Sequence, residues 1–184
     1  MTTYAALLRG INVGGRRKVP MAELRETVAG LGWTGVRTHL QSGNVVFAVP
    51  PEQERAGAAP RERLQHALAE RFGFQVPCLL RTGEELRDVV GRCPFPAAEL
   101  DPAKLQVFFV EETPAEDHFA GVDPAAYAPD EFHHIGRAVY AWFPGGMGRS
   151  RLPAALEAAR PRLTLTARNW RTVTALLELT GQDG

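Results

Sequence analysis

Val36-Arg37-Thr38-His39-Leu40-Gln41-Ser42-Gly43-Asn44-Val45-Val46-Phe47-Ala48-Val49 reads as two short β-strands, 36–40 and 45–49, around a turn at Gln41 to Asn44. On its N-terminal side, Met21, Leu24, Val28 and Leu31 recur at helical spacing behind Pro20, and Gly30 and Gly32 end the run. Further back, residues 3–9 form a buried strand that closes at Gly10 and a Gly14-Gly15 loop. On the C-terminal side, 50–59 is a Pro/Ala/Glu-rich stretch expected to be an exposed, mobile loop. Leu64, Leu68 and Phe72 then stripe a helix closed by Gly73, and 76–81 supplies a fourth strand. The order is βαββαβ.

The second half repeats that order after a linking helix at about 84–92. Strand 105–110 is followed by a short helix expected at 114–120, then a hairpin of 132–135 and 138–143 turning at Gly136. A helix marked by Leu152, Leu156 and Ala159 follows, then a strand at 163–166 and a closing helix at 170–180. Asn169 is the expected N-cap of that last helix, and Val173, Leu176 and Leu177 its inward face. The fold class expected is α+β: two ferredoxin-like (α/β-plait) domains in tandem, 1–82 and 83–184.

The 184 residues balance 21 Lys+Arg against 21 Asp+Glu, which argues against a wholesale nucleic-acid coat. No stretch approaches the roughly 20 apolar residues of a membrane span. The N-terminus shows no basic-then-apolar export signal, so a cytoplasmic location is expected. Cys78 and Cys93 are too few for a disulfide framework or a four-thiolate metal site. His133 and His134, adjacent on a strand, point to opposite faces, and no metal site is expected. No cofactor follows from the sequence.

The scarce residues are informative. Serine occurs only at 42 and 150, and asparagine only at 12, 44 and 169. In a βαββαβ plait the first and second strands run the same way, which brings Arg9 to Lys18 beside Ser42-Gly43-Asn44. In the second domain the same logic places Pro144 to Arg151 next to Arg168 to Arg171. All five residues then fall into two surface clusters at sheet ends.

Each cluster has two readings. In Arg9-Gly10-Ile11-Asn12-Val13-Gly14-Gly15-Arg16-Arg17-Lys18, the glycines free backbone N–H groups and the cations supply charge for an anion; otherwise this is a tight loop with a solvated tip. It matches neither the P-loop nor the dinucleotide fingerprint. Ser42 and Asn44 form a structural turn or present a hydroxyl and an amide at the same mouth. Gly145 to Arg151 is a second Gly/Arg loop, in which Ser150 is a helix N-cap or, with Arg149, an anion contact. Trp170 reads as core, and Arg168 as able to reach the neighbouring loop. Tyr4 and Phe47 offer aromatics on central strands, but the pattern of an RNA-recognition sheet is missing.

Charge is uneven. Residues 1–20 hold four basic and no acidic residues, 136–171 hold seven Arg against Glu157 alone, and 111–131 hold seven acids with no Lys or Arg. These are solvated faces, or a dipolar arrangement able to steer an anion or pair with another copy.

At these motifs the chain resembles the bacterial proteins grouped as the domain of unknown function 1697. The resemblance rests on Leu8 to Gly15, Met21 and Leu24, Thr38 with Gln41 to Phe47, Tyr140, Gly148-Arg149-Ser150, and Thr166 with Arg168-Asn169-Trp170 and Thr172-Val173. It implies two ferredoxin-like domains and no assigned activity, substrate, cofactor or catalytic residue. Two departures stand out: Arg151 replaces an expected Lys, and the insertion at 50–60 is longer than usual and expected to be peripheral.

The leading expectation is therefore a binding module for a phosphate- or carboxylate-bearing small molecule. Its expected ligand residues are Arg9, Asn12, Gly14, Gly15, Lys18, Ser42, Asn44, Arg149, Ser150, Arg168 and Asn169. A hydrolase or transferase using Ser42 or Ser150 is the alternative, provided a base lies within reach. A nucleic-acid or protein interaction module, or a homo-oligomer, are the further options.

Overall fold

The computed structural model describes residues 1–40, 43–55 and 59–181. Strand β1 (Thr2–Leu8) leads through a loop to helix α1 (Met21–Ala29), then to β2 (Thr34–His39) and β3 (Asn44–Val49). Helices α2 (Pro51–Arg55) and α3 (Pro60–Phe72) follow, then β4 (Cys78–Thr82) and helix α4 (Gly83–Gly91). The four strands form one antiparallel sheet in the order β2-β3-β1-β4. Alternation along the central strands aims Ala6, Leu8, Val45, Phe47 and Val49 at Leu24 and Val28 of α1 and Leu64 and Leu68 of α3, which makes one core.

The second sheet has the same order from new strands: β5 (Leu105–Val110), β6 (Glu131–Ile135), β7 (Ala138–Trp142) and β8 (Leu165–Asn169), arranged β6-β7-β5-β8. Helix α5 (Leu152–Ala158) lays Leu152 and Leu156 on Phe108, Val110, Val139, Ala141 and Phe143, and helix α6 (Trp170–Gly181) ends the described chain. The molecule is thus α+β, with two four-stranded antiparallel sheets and, among the described residues, six α-helices.

Two compact units result: Met1–Arg87 with the segment from Ala175 onward, and Asp88–Thr174. The division falls inside α4 and inside α6. Arg37 helps hold the C-terminal segment to the first unit, donating from Nη2 to the Leu179 carbonyl at 3.0 Å.

Three local expectations change. The helix expected at 114–120 is a series of turns, and the crossover from β5 to β6 holds only a 3-10 turn at Pro124–Tyr127. Gly121, Pro124 and Pro129 bar a helix from extending beyond 120, and the seven residues of 114–120 are too few to hold one by themselves. Phe119 and Val122 nevertheless bury in the second core. The stretch after Pro50 is not all loop: Pro51, which needs no N–H partner at a first helical position, opens α2. The Gln53 Oε1 accepts from Trp33 Nε1 and Arg63 Nη1, each at 3.0 Å, which fixes α2 against the first core. The last strand runs to Asn169 rather than ending at 166, so Arg168 and Asn169 belong to the sheet.

Candidate functional site

The register brings the first cluster together. Leu7 pairs with Asn44 across β1 and β3, and the Leu8 N–H donates to the Gly43 carbonyl at 2.7 Å. Gly43 has φ 86°, and a Cβ there would lie 2.7 Å from Ile11 Cδ1 and 2.9 Å from Leu8 Cβ, so only glycine lets the hairpin approach the loop. Ser42 lies outside the described residues.

Within that cluster the amides serve the fold. Asn12 sits at φ 55°, a conformation asparagine tolerates, with its Nδ2 donating to the Val19 carbonyl at 3.0 Å and its Oδ1 accepting from the Val19 N–H at 2.8 Å. Both ends of its carboxamide clamp the loop shut. Asn44 is fully buried and donates from Nδ2 to the His39 carbonyl at 2.9 Å, so it is no surface ligand group. Arg9 is half-buried, and its backbone N–H donates to the Pro77 carbonyl at 2.8 Å. Gly14, Gly15 and Lys18 are exposed at the loop tip, and the Arg17 guanidinium stands 5.7 Å from the Phe74 ring centroid. A cleft of about 570 Å³ is lined by Asn12, Gly15 and Lys18 together with 19–22.

The second cluster also gathers at one sheet end: Leu105 pairs with Trp142, and its neighbour Gln106 with Asn169. Asn169 caps α6, its Oδ1 accepting from the Thr172 N–H at 2.9 Å. The Arg168 side chain is buried rather than extended, with Nη1 donating to Thr166 Oγ1 at 2.9 Å and to the Ala167 carbonyl at 2.8 Å. Burial pulls its pKa down to about 10, still charged at neutral pH. Ser150 Oγ accepts from the Leu152 N–H at 3.0 Å at the start of α5, which leaves its O–H proton available to donate. Trp170 is buried, as expected of a core residue.

A second cleft, of about 290 Å³, is lined by Gly145, Gly146, Arg149, Ser150 and Arg151 on one side and by residues 126–130 on the other. Tyr127 and Asp130 were not legible as site residues. They lie in the β5–β6 crossover, which the sequence offered as an acidic, Pro-interrupted stretch, and only folding sets it against the 145–151 loop.

Five of the eleven expected residues, Asn12, Gly15, Lys18, Arg149 and Ser150, line these two clefts. For serine chemistry a base is needed, and no histidine or carboxylate hydrogen-bonds to Ser150 among the described residues. The aromatic platform is also absent as a free surface: Phe47 is fully buried and stacks on Trp33 at 4.5 Å, while the Tyr4 hydroxyl donates to Glu54 Oε1 at 3.3 Å. The two adjacent histidines do diverge: His133 packs edge-on to Phe95 and His134 to Phe119. No group of three or more His, Cys, Asp or Glu residues suited to a metal occurs among the described residues. No described helix is long and apolar enough to cross a membrane.

The fold has a solved counterpart. The chain is similar to the conserved bacterial protein SP0830 from Streptococcus pneumoniae, with a TM-score of 0.71 and 24% identity over 97% of this chain and 98% of that one. A comparison with curated proteins finds no match. The model of the protein of unknown function family DUF1697 matches residues 1–140, from β1 into the middle of β7, so the chain belongs to the DUF1697 family.

Proposed function

We propose that this chain is a tandem pair of ferredoxin-like modules that binds a small molecule bearing a phosphate or carboxylate. The strand order supports the plait reading, since both sheets place their first and third strands centrally and antiparallel. The second module departs from it only in lacking a helix on its first crossover. One observation carries the binding reading: in each unit a cleft borders a Gly-rich loop that presents cations without an intramolecular partner among the described residues. Lys18 is that cation in the first unit, and Arg149 and Arg151 are those of the second. The buried or hydrogen-bonded Asn12, Asn44, Arg168 and Asn169 shape the loops behind these cations.

The transfer or hydrolysis reading is weaker, because Ser150 has no hydrogen-bonded base among the described residues. The test is a thermal-shift series with inorganic phosphate, mononucleotides and small carboxylates on the native chain and on the Lys18→Gln and Arg149→Gln/Arg151→Gln variants. A ligand at about 100 times its Kd adds about 2.7 kcal/mol of stability. Stabilisation that disappears in one variant locates the site. No stabilisation by any anion, in the native chain or the variants, refutes the reading.

A further inference from the structure

The two walls of the second unit's cleft differ in charge. One carries Arg149 and Arg151, both exposed, with the Ser150 hydroxyl between them in sequence. The other carries the half-buried Asp130 and Tyr127, on a turn closed by the Asp130 N–H donating to the Tyr127 carbonyl at 2.9 Å. Among the described residues none forms a hydrogen bond or ion pair with the side chains of Arg149, Arg151, Asp130 or Tyr127. The cations therefore form no direct ion pair with the carboxylate, and both signs stay available to a guest. Gly145 and Gly146 leave the rim open, for a Cβ at either would meet nothing within 4 Å. At about 290 Å³ the space matches the low end of small-molecule sites, about 300 Å³, and so admits one monomer-sized guest.

We infer that this cleft selects a zwitterionic ligand, its phosphate or carboxylate held by Arg149, Arg151 and Ser150 and its ammonium by Asp130. This rests on the anion-binding reading and narrows it to one cleft and one ligand class. A purely anionic guest would set its second negative charge against Asp130, whereas an ammonium there forms a charge-assisted hydrogen bond. Tyr127 and the short apolar side chains of Ala126, Ala128 and Pro129 supply the wall along which a two- or three-carbon spacer would lie.

Calorimetric titration of the full chain with O-phosphoethanolamine, β-alanine, 2-phosphoglycolate and inorganic phosphate tests this. Phosphoethanolamine and β-alanine distinguish a phosphate from a carboxylate head, and 2-phosphoglycolate replaces the ammonium end by a second anion. At least one zwitterion is expected to bind about tenfold tighter than 2-phosphoglycolate, the scale of one charge-assisted hydrogen bond. Asp130→Asn is expected to bring the two within about threefold while phosphate binding persists. Arg149→Gln/Arg151→Gln, which removes both cations from the cleft, is expected to abolish binding of all probes. Equal or tighter binding of 2-phosphoglycolate, or a zwitterion preference untouched by Asp130→Asn, overturns the zwitterion assignment but leaves anion binding standing. Binding that survives Arg149→Gln/Arg151→Gln places the ligand outside the cleft and overturns the assignment too. If no probe binds at all, the anion-binding reading falls with it.

Discussion

Cys78 shows how a single buried residue makes stability depend on pH. It sits on β4 in the first core, and burial pushes its thiol up to about 12 from an ordinary 9.0, with Arg61 pulling slightly the other way. The thiolate is thus disfavoured in the folded chain. An acid whose folded pKa lies above its unfolded one contributes stability that is complete below the unfolded value and lost as pH rises towards the folded one. Stability is therefore expected to fall between about pH 9 and 12, and Cys78→Ala to flatten that slope in urea unfolding followed by circular dichroism. The same burial predicts that alkylation at about pH 8 leaves Cys78 unmodified in the folded chain and modifies it once urea unfolds the protein, read by mass spectrometry. The residue scale also explains the outcome for asparagine. Its rarity marks special places, and all three amides hydrogen-bond to backbone at a loop, a hairpin and a helix end.

At the scale of elements, one device occurs in both units. The penultimate residue of β4 is Arg81, whose Nη1 folds back to the Leu80 carbonyl at 2.8 Å, and the last is Thr82, whose Oγ1 accepts from the Glu85 N–H at 3.1 Å as α4 begins. Glu85 returns the favour, accepting from the Thr82 N–H at 2.8 Å to complete a capping box. In β8 the penultimate residue is Arg168, with the same 2.8 Å bond to the preceding carbonyl, and the last is Asn169, which caps α6. Neither arginine was legible as buried, because a guanidinium near a strand end reads as exposed from sequence alone. Helix α2 makes the converse point. Five residues have no propensity to stand alone, and α2 exists because Gln53 satisfies the Trp33 indole N–H and the Arg63 guanidinium together. Gln53→Ala is expected to cost about 1–3 kcal/mol, since a buried indole N–H loses its partner, measured as a lower urea midpoint with unchanged slope. A change below about 0.5 kcal/mol would show that α2 is held by other contacts.

For the whole molecule, zero net charge conceals segregation. The cationic loops line clefts, while the acidic run of 111–131 has become the β5–β6 crossover, one of whose acids, Asp130, lines a cleft as well. With no net charge to attract an anion from a distance, the proposed binding would depend on local pairs at exposed arginines and lysine, which salt screens. Any Tm gain from an anionic ligand is therefore expected to shrink when ionic strength rises from low values to about 0.5 M; a gain indifferent to salt would point to apolar binding instead. Hydrophobic period and turn chemistry alone determined the α+β class, the hairpins, helices α1 and α3 and the order of the strands, because these are local statements about which side chains must leave water. Only the tertiary structure decided that the segment from Ala175 packs with the first unit, that Phe119 and Val122 bury in the second core from a crossover without an α-helix, and that Tyr127 and Asp130 line one cleft with the 145–151 loop. Those outcomes depend on which surfaces meet across long stretches of chain, and the free energy of such a meeting is written in no single window of the sequence.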